Sequence, residues 1–253
     1  MKYLVVPAAI VLLCAPAHAA DDPKLEGLLA QGADALLTEA DSRLTNWEDQ
    51  TLVVTMHAKG PNDDKQTKMT IITKGADRRA LRFDEPADIR GMGVVIKGTD
   101  ELYVRLPGSS KVRRVAAHAR KQGLQGSDWG MEDQVLIRLA TYFDAKVTKK
   151  TDTHIELALT RKAGTDISYA KLEVSVARDS ITVDRIRYFE DGKPLKEEKR
   201  SALKTNGEMR TYSKVRVTHM QKEHFTEIEV LSEKNNTGVK KKTFSKRWLV
   251  RGI

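Results

Sequence analysis

Apolar residues at every second position dominate this chain. Leu52, Val54 and Met56 alternate with polar neighbours, as do Met69 and Ile71, Leu81 and Phe83, and Leu102, Val104 and Leu106. After an interruption the pattern resumes at Ile155, Leu157 and Leu159, at Leu172, Val174 and Val176, at Ile186 and Tyr188, at Val215 and Val217, and at Ile228 and Val230. Successive side chains of a strand point to opposite faces, so each stretch predicts a strand with one buried side. The intervening "GPNDD", "PGSS" and "EDGKP" are turn sequences.

Two stretches depart from this period. From Leu25 to Leu44 the apolar residues recur three and four apart, which predicts an amphipathic helix, and Met131, Val135, Leu136, Leu139, Ala140 and Phe143 repeat that spacing in the middle of the chain. No linker, repeat or composition break divides the sequence. About ten antiparallel strands with a helix at the start and another in the middle predict one domain over 20–253: a mainly β fold, a strongly curved sheet or open barrel with helices packed into its concave side, or else a closed barrel filled by side chains alone.

Residues 1–19 are read separately. Lys2 precedes an uncharged, largely apolar run ending in Ala17-His18-Ala19, the small-x-small pattern at which a signal peptidase cuts, so residues 1–19 are expected to be a secretory signal peptide cleaved after Ala19. Cys14 follows Leu13, a poor context for lipidation, and is the only cysteine; the mature chain therefore relies on its core without disulfides or thiolate ligands. The formal charge of +9 suggests nucleic acid only for a cytosolic protein. Export to the periplasm removes that partner and leaves anionic membrane surface as the counterpart of a basic exterior in which acids are interspersed.

The interruption contains "GLQGSDWGMEDQ", where glycines surround Ser127, Asp128, Glu132 and Asp133. A hydrolase built on Ser127, Asp128 and Glu132 is one reading, but a nucleophile elbow needs glycines two residues either side of the serine, and Gln125 and Trp129 stand there. The histidines outside the leader, His57, His118, His154, His219 and His224, lack metal-binding spacing, and there is no GxxxxGK[ST] loop. The other reading is structural: Ser127 or Asp128 caps a helix, Glu132 and Asp133 complement its dipole, and the glycines permit a sharp change of direction.

The ordered motifs "FDEPADIRGMGVVIK", "DELYVRLPGSSKVRRV", "GLQGSDWGMED", "SYAKLEVSVARDS" and "FSKRWLVRG" resemble the exported outer-membrane lipoprotein-sorting family, relatives of the LolA and LolB carriers, over nearly the whole mature chain. Leu124 and Trp129 stand where such sequences often carry phenylalanine, and Met131 where a polar residue or tyrosine is common. The resemblance implies an incomplete antiparallel β-barrel, a strongly curved sheet with an N-terminal helix and a helical lid enclosing an apolar cavity that holds acyl chains, with no catalysis and no cofactor. Candidate cavity residues are Val54, Ile71, Leu102, Val104, Leu157, Val174, Ile186 and Val217; candidates for the lid or mouth are Trp129, Met131 and Leu136. Expected partners are the acyl chains of a lipoprotein or another lipid, an inner-membrane transporter as donor and an outer-membrane acceptor, with peripheral membrane contact. A lipid-sensing accessory subunit of an envelope complex is the alternative.

Replacing Ala17 and Ala19 with bulky residues is expected to leave an unprocessed precursor at the inner membrane, detected by mass and fractionation; release of a chain beginning at Ala20 would refute the assignment.

Overall fold

The computed structural model describes residues 20–251. The expected leader and cleavage site lie outside the described residues. Two helices, α1 (Leu25–Gln31) and α2 (Ala33–Leu44), lead into thirteen strands. These are β1 (Asp49–Lys59), β2 (Asp64–Lys74), β3 (Arg78–Glu85), β4 (Gly93–Lys97), β5 (Glu101–Arg105), β6 (Val112–Arg114), β7 (Phe143–Lys150), β8 (His154–Arg161), β9 (Lys171–Ala177), β10 (Thr182–Glu190), β11 (Lys193–Asn206), β12 (Met209–His219) and β13 (Phe225–Asn235). A short helix, α3 (Lys246–Arg251), follows.

All the strands join one antiparallel sheet in the order β6-β5-β4-β3-β2-β1-β13-β12-β11-β10-β9-β8-β7. The sheet is curved and unclosed, and the fold is mainly β. Two meanders are stitched together by the pairing of β1 with β13, which runs from Gln50 opposite Asn235 to Lys59 opposite Phe225. The last strand of the first meander and the first of the second therefore form opposite edges, and residues 115–142 connect them.

One apolar core lies between the sheet's inner face, the two N-terminal helices and this connection. It includes Leu36 and Leu37 of α2, Val54, Met69, Phe83, Leu157, Val174 and Ile186 of the strands, and Leu124, Val135 and Leu139 of the connection. A second, smaller core covers the opposite face of β3 and β4, where Ala80 and Val95 meet Phe244, Trp248 and Leu249. That cover explains why β4, "GVVIK", is apolar without alternation: both of its faces are buried.

Two expectations about helices change. The helix over Leu25–Leu44 is broken at Gly32, whose φ of +110° is costly for other residues. Its amide closes α1 on the carbonyls of Leu28 and Leu29, and its carbonyl accepts the amide of Leu36 at the start of α2. The connection, expected as a helical lid, holds only 3₁₀ turns at Ala117–Ala119, Leu124–Gly126 and Leu139–Thr141. Between them the amides of Gln134, Val135 and Leu136 reach back three residues, to Met131, Glu132 and Asp133, so the chain coils in single turns and no α-helix propagates. The lid is a strap.

The glycines of the strap serve close approach. Gly123 and Gly130 face each other in an isolated antiparallel bridge, and the amide of Leu124 donates to the carbonyl of Trp129 at 3.0 Å. A Cβ on Gly123 would stand 1.5 Å from the backbone oxygen of Ser127. Gly123→Ala is therefore expected to open this loop and to cost roughly 2 kcal/mol or more in urea unfolding, whereas Gly27→Ala, with nothing within 4 Å of the new Cβ, should stay within about 0.5 kcal/mol of the parent or above it.

Candidate functional site: an amphipathic cavity beneath the strap

Each acid of the strap is bound to a different part of the fold. Asp133 is 6% exposed; its Oδ2 accepts from Lys196 Nζ at 2.5 Å and from the amide of Gly130 at 2.6 Å, and its Oδ1 accepts from the hydroxyl of Tyr169 at 2.9 Å. Lys196, 4% exposed, also donates to the carbonyl of Asp128 at 3.0 Å and lies over the rings of Tyr188 and Tyr169. Burial, with Asp133 beside Tyr169 and Glu198 beside Tyr188, holds both tyrosines protonated far above neutral pH. Asp128 Oδ2 lies 2.6 Å from His224 Nδ1 and accepts from Thr226 Oγ1 at 3.2 Å. Glu132 accepts from the amide of Ser168 at 2.7 Å and from its hydroxyl.

Neither reading of these acids made from the sequence survives in full. Ser127 and Asp128 do not cap a helix, because no helix follows, and Asp128 anchors the strap to β13 instead. Nor do Ser127, Asp128 and Glu132 converge: Ser127 Oγ donates to the carbonyl of Trp129 at 3.2 Å, while the two carboxylates bind His224 and Ser168.

Beneath the strap is a cavity of about 190 Å³, walled by α2, by the inner faces of β1, β2, β3 and β11–β13, and by residues 129–139. Its apolar wall includes Leu44, Leu52, Val54, Ile71, Leu136, Val215, Ile228 and Val230. Its polar wall includes Arg79, Arg200 and Arg210 with Asp41, Asp133 and Glu198. Glu198 Oε1 accepts from Arg200 Nε at 2.6 Å, and Glu198 Oε2 from the hydroxyl of Tyr188 at 3.1 Å. Burial opposes the charge of Arg200, but Glu198 outweighs it and raises the guanidinium's pKa.

Four of the residues singled out from the sequence line this space: Val54, Ile71, Trp129 and Leu136. The others do not. Leu102, Leu157, Val174, Ile186 and Val217 are at most 1% exposed, and Val104 and Met131 are partly buried against the main core. Leu157 and Val174 face each other in register and are packed by protein, so alternation identified a buried face that the cavity occupies only in part. A larger groove of about 790 Å³ lies beside His57, Lys68, Lys214, Arg216 and Glu227, with Met56, Val215 and Ile228 also in its lining.

The polar wall was missed, though one member was in phase. Arg79 stands two residues before Leu81 and four before Phe83, which places it on the apolar side of β3. Lys196, Glu198 and Arg200 follow the same rule on β11, a strand without apolar alternation to set its phase.

An open, curved antiparallel sheet with helices and a strap on its inner side is the LolA-like fold. It matches the solved structure of a putative outer membrane lipoprotein-sorting protein domain from Vibrio parahaemolyticus with a TM-score of 0.78 and 19% identity, over 87% of this chain and 98% of that one. A DUF1329 family protein from Desulfovibrio piger matches with a TM-score of 0.79 and 20% identity, over 88% and 98%. A LolA superfamily protein from Nitrosomonas europaea matches with a TM-score of 0.74 and 17% identity, over 86% and 99%. The chain belongs to a family described as uncharacterized protein-like, whose model matches residues 75–251. No curated relative matches the sequence.

Asp41 supplies a test of the cavity's electrostatics. Burial raises its pKa to about 6, against the opposing effect of the amides of Ala140 and Leu139. The folded protein thus binds this proton more tightly than the unfolded chain does, so stability falls as pH rises from about 4 to about 6, and the penalty is complete above that window. An asparagine can still accept the Ala140 amide, which lies 2.7 Å from Asp41 Oδ2, without carrying charge. Asp41→Asn is expected to gain about 1–3 kcal/mol in urea unfolding near neutral pH and nearly nothing near pH 4; equal gains at both would refute the assignment.

Proposed function

We propose that this protein is a periplasmic carrier that shields acyl chains of a lipid or lipoprotein on the way to the outer membrane, without covalent chemistry. The observation that carries the reading is the apolar wall beneath a strap whose anchors are polar, within a LolA-like fold. Each buried methylene gains roughly 0.8 kcal/mol, so a long-chain lipid needs such shelter to cross an aqueous compartment. A cavity of 190 Å³ lies below the ~300–1,000 Å³ usual for ligand sites, so loading requires the strap to move away from the sheet. The strap is joined to the sheet by side-chain bonds that can exchange for water, while the sheet's own ladders stay whole.

The chain has no phosphate-binding loop of the GxxxxGK[ST] type. Loading from an inner-membrane donor and release to an outer-membrane acceptor are therefore driven by a partner or by a downhill difference in affinity between donor, carrier and acceptor. The named outer membrane lipoprotein-sorting domain from Vibrio parahaemolyticus supports this reading through the shared fold.

Large side chains separate cavity from core. Ile71→Trp and Leu136→Trp are expected to leave a folded protein that no longer binds a fluorescent fatty-acyl probe, because the ring takes up the ligand's space. Leu157→Trp and Val174→Trp, in packed core, should instead cost about 1–3 kcal/mol. Full probe binding by folded Ile71→Trp and Leu136→Trp would refute the carrier reading.

A further inference from the structure

We propose that the cavity receives the anionic head of an amphiphile, a carboxylate or phosphate whose oxygens accept from Arg79. This deepens the carrier reading and rests on it. Arg79 lines the cavity from β3, and both hydrogen bonds found for it go to neutral acceptors: its Nη1 donates to Gln134 Oε1 at 3.1 Å and its Nε to Thr73 Oγ1 at 3.3 Å. Among the described residues no carboxylate oxygen lies within the 4.0 Å of an ion pair with it. A guanidinium has five N–H donors in a planar fork, so donors remain for a ligand.

Its surroundings add donors and few acceptors. Among the described residues no acceptor meets the Nε1 of Trp47, which is buried and lines the same cavity, or the Nε2 of Gln134, the residue that engages Arg79. Arg210 at the cavity wall donates to the carbonyl of Ser180 and likewise has no carboxylate within ion-pair distance. The acids of the wall are already answered: Asp133 by Lys196 and Tyr169, Glu198 by Arg200 and Tyr188, and Asp41 by the amide of Ala140.

A buried donor without an acceptor is costly, and a part-buried guanidinium with donors to spare gains from an anion that takes them up. Desolvation, with Arg200 nearby and Glu198 offsetting it only in part, lowers the pKa of Arg79 to about 10, which leaves it charged at neutral pH. A group with several acceptor oxygens and negative charge offers charge-assisted bonds to the donors that line the cavity, Arg79 and Trp47 among them. The chain attached to it would lie along Leu52, Val54, Ile71 and Ile228.

The test compares, on the mature protein, a fluorescent fatty acid, the fluorescent fatty alcohol of equal length, and inorganic phosphate as competitor. The wild type is expected to bind the acid at least about tenfold more tightly than the alcohol, the worth of one charge-assisted hydrogen bond. Arg79→Gln should remove that preference while keeping the alcohol's affinity, and Arg79→Lys should restore part of it. Trp47→Phe, which deletes one donor and keeps a ring, should reduce the preference and serves if Arg79→Gln does not fold. Equal binding of the two probes by the wild type, or a preference that survives in folded Arg79→Gln, overturns the headgroup site and leaves the carrier reading standing. Failure of both probes to bind overturns both. Displacement of the acid by phosphate alone, at concentrations where an unlabelled fatty acid displaces it, assigns the site to a free anion and overturns the amphiphile proposal.

Discussion

Strands β6 and β7 are consecutive in the chain and lie at opposite edges of one sheet, so the segment between them has to cross the sheet. Its path over the inner face is set by this topology as much as by any contact it makes. What remains to be fixed is its position, and buried charge does that. Lys196 projects inward from β11 and meets Asp133 of the strap where both are nearly inaccessible to water. A pair like this contributes little net stability against an apolar replacement, yet losing one partner leaves the other charged and buried. The strap therefore has one register that satisfies Lys196 and Tyr169 together, and displacement by a residue would break both contacts.

The same logic organises the cavity. Its apolar side belongs mainly to β1, β2, β13 and Val215 of β12, where the two meanders meet, and its charged side to β3 and β11 on the flanks, with Arg210 at the start of β12, Asp41 of α2 and Asp133 of the strap. An amphiphile entering such a space has one orientation in which chain and head both find partners. The charged flank also separates the cavity from the fully packed region around Leu157, Val174 and Ile186, which holds α2 against the sheet and supplies rigidity.

Much of this was legible in the sequence wherever one face of a strand is buried and the other wet. Alternation located β1, β2, β3, β5, β8, β9, β10, β12 and β13. It failed at β4, whose second face is covered by Phe244, Trp248 and Leu249, and at β11, whose inward residues Lys196, Glu198 and Arg200 are charged. The helical spacing from Met131 to Phe143 was real in composition, but the acids among those residues also bond to Lys196, Tyr169 and Ser168, and local periodicity carries no trace of such distant partners. At the site, Val54, Ile71, Trp129 and Leu136 were found because apolar lining looks like apolar core. Leu157 and Val174 were included for that same reason, and the arginines were passed over because a charge in a strand is read as facing water.

A closed barrel has a circumference dictated by its strand number and stagger, and can widen only by breaking a seam. Here β6 and β7 do not pair, and nothing closes the sheet on itself. Its two edges are free to draw together or part while every ladder between neighbouring strands remains intact. The segment from Val115 to Tyr142 joins those edges as a string joins the tips of a bow, so the contour length of a loop, and not the count of strands, sets how flat the sheet can become.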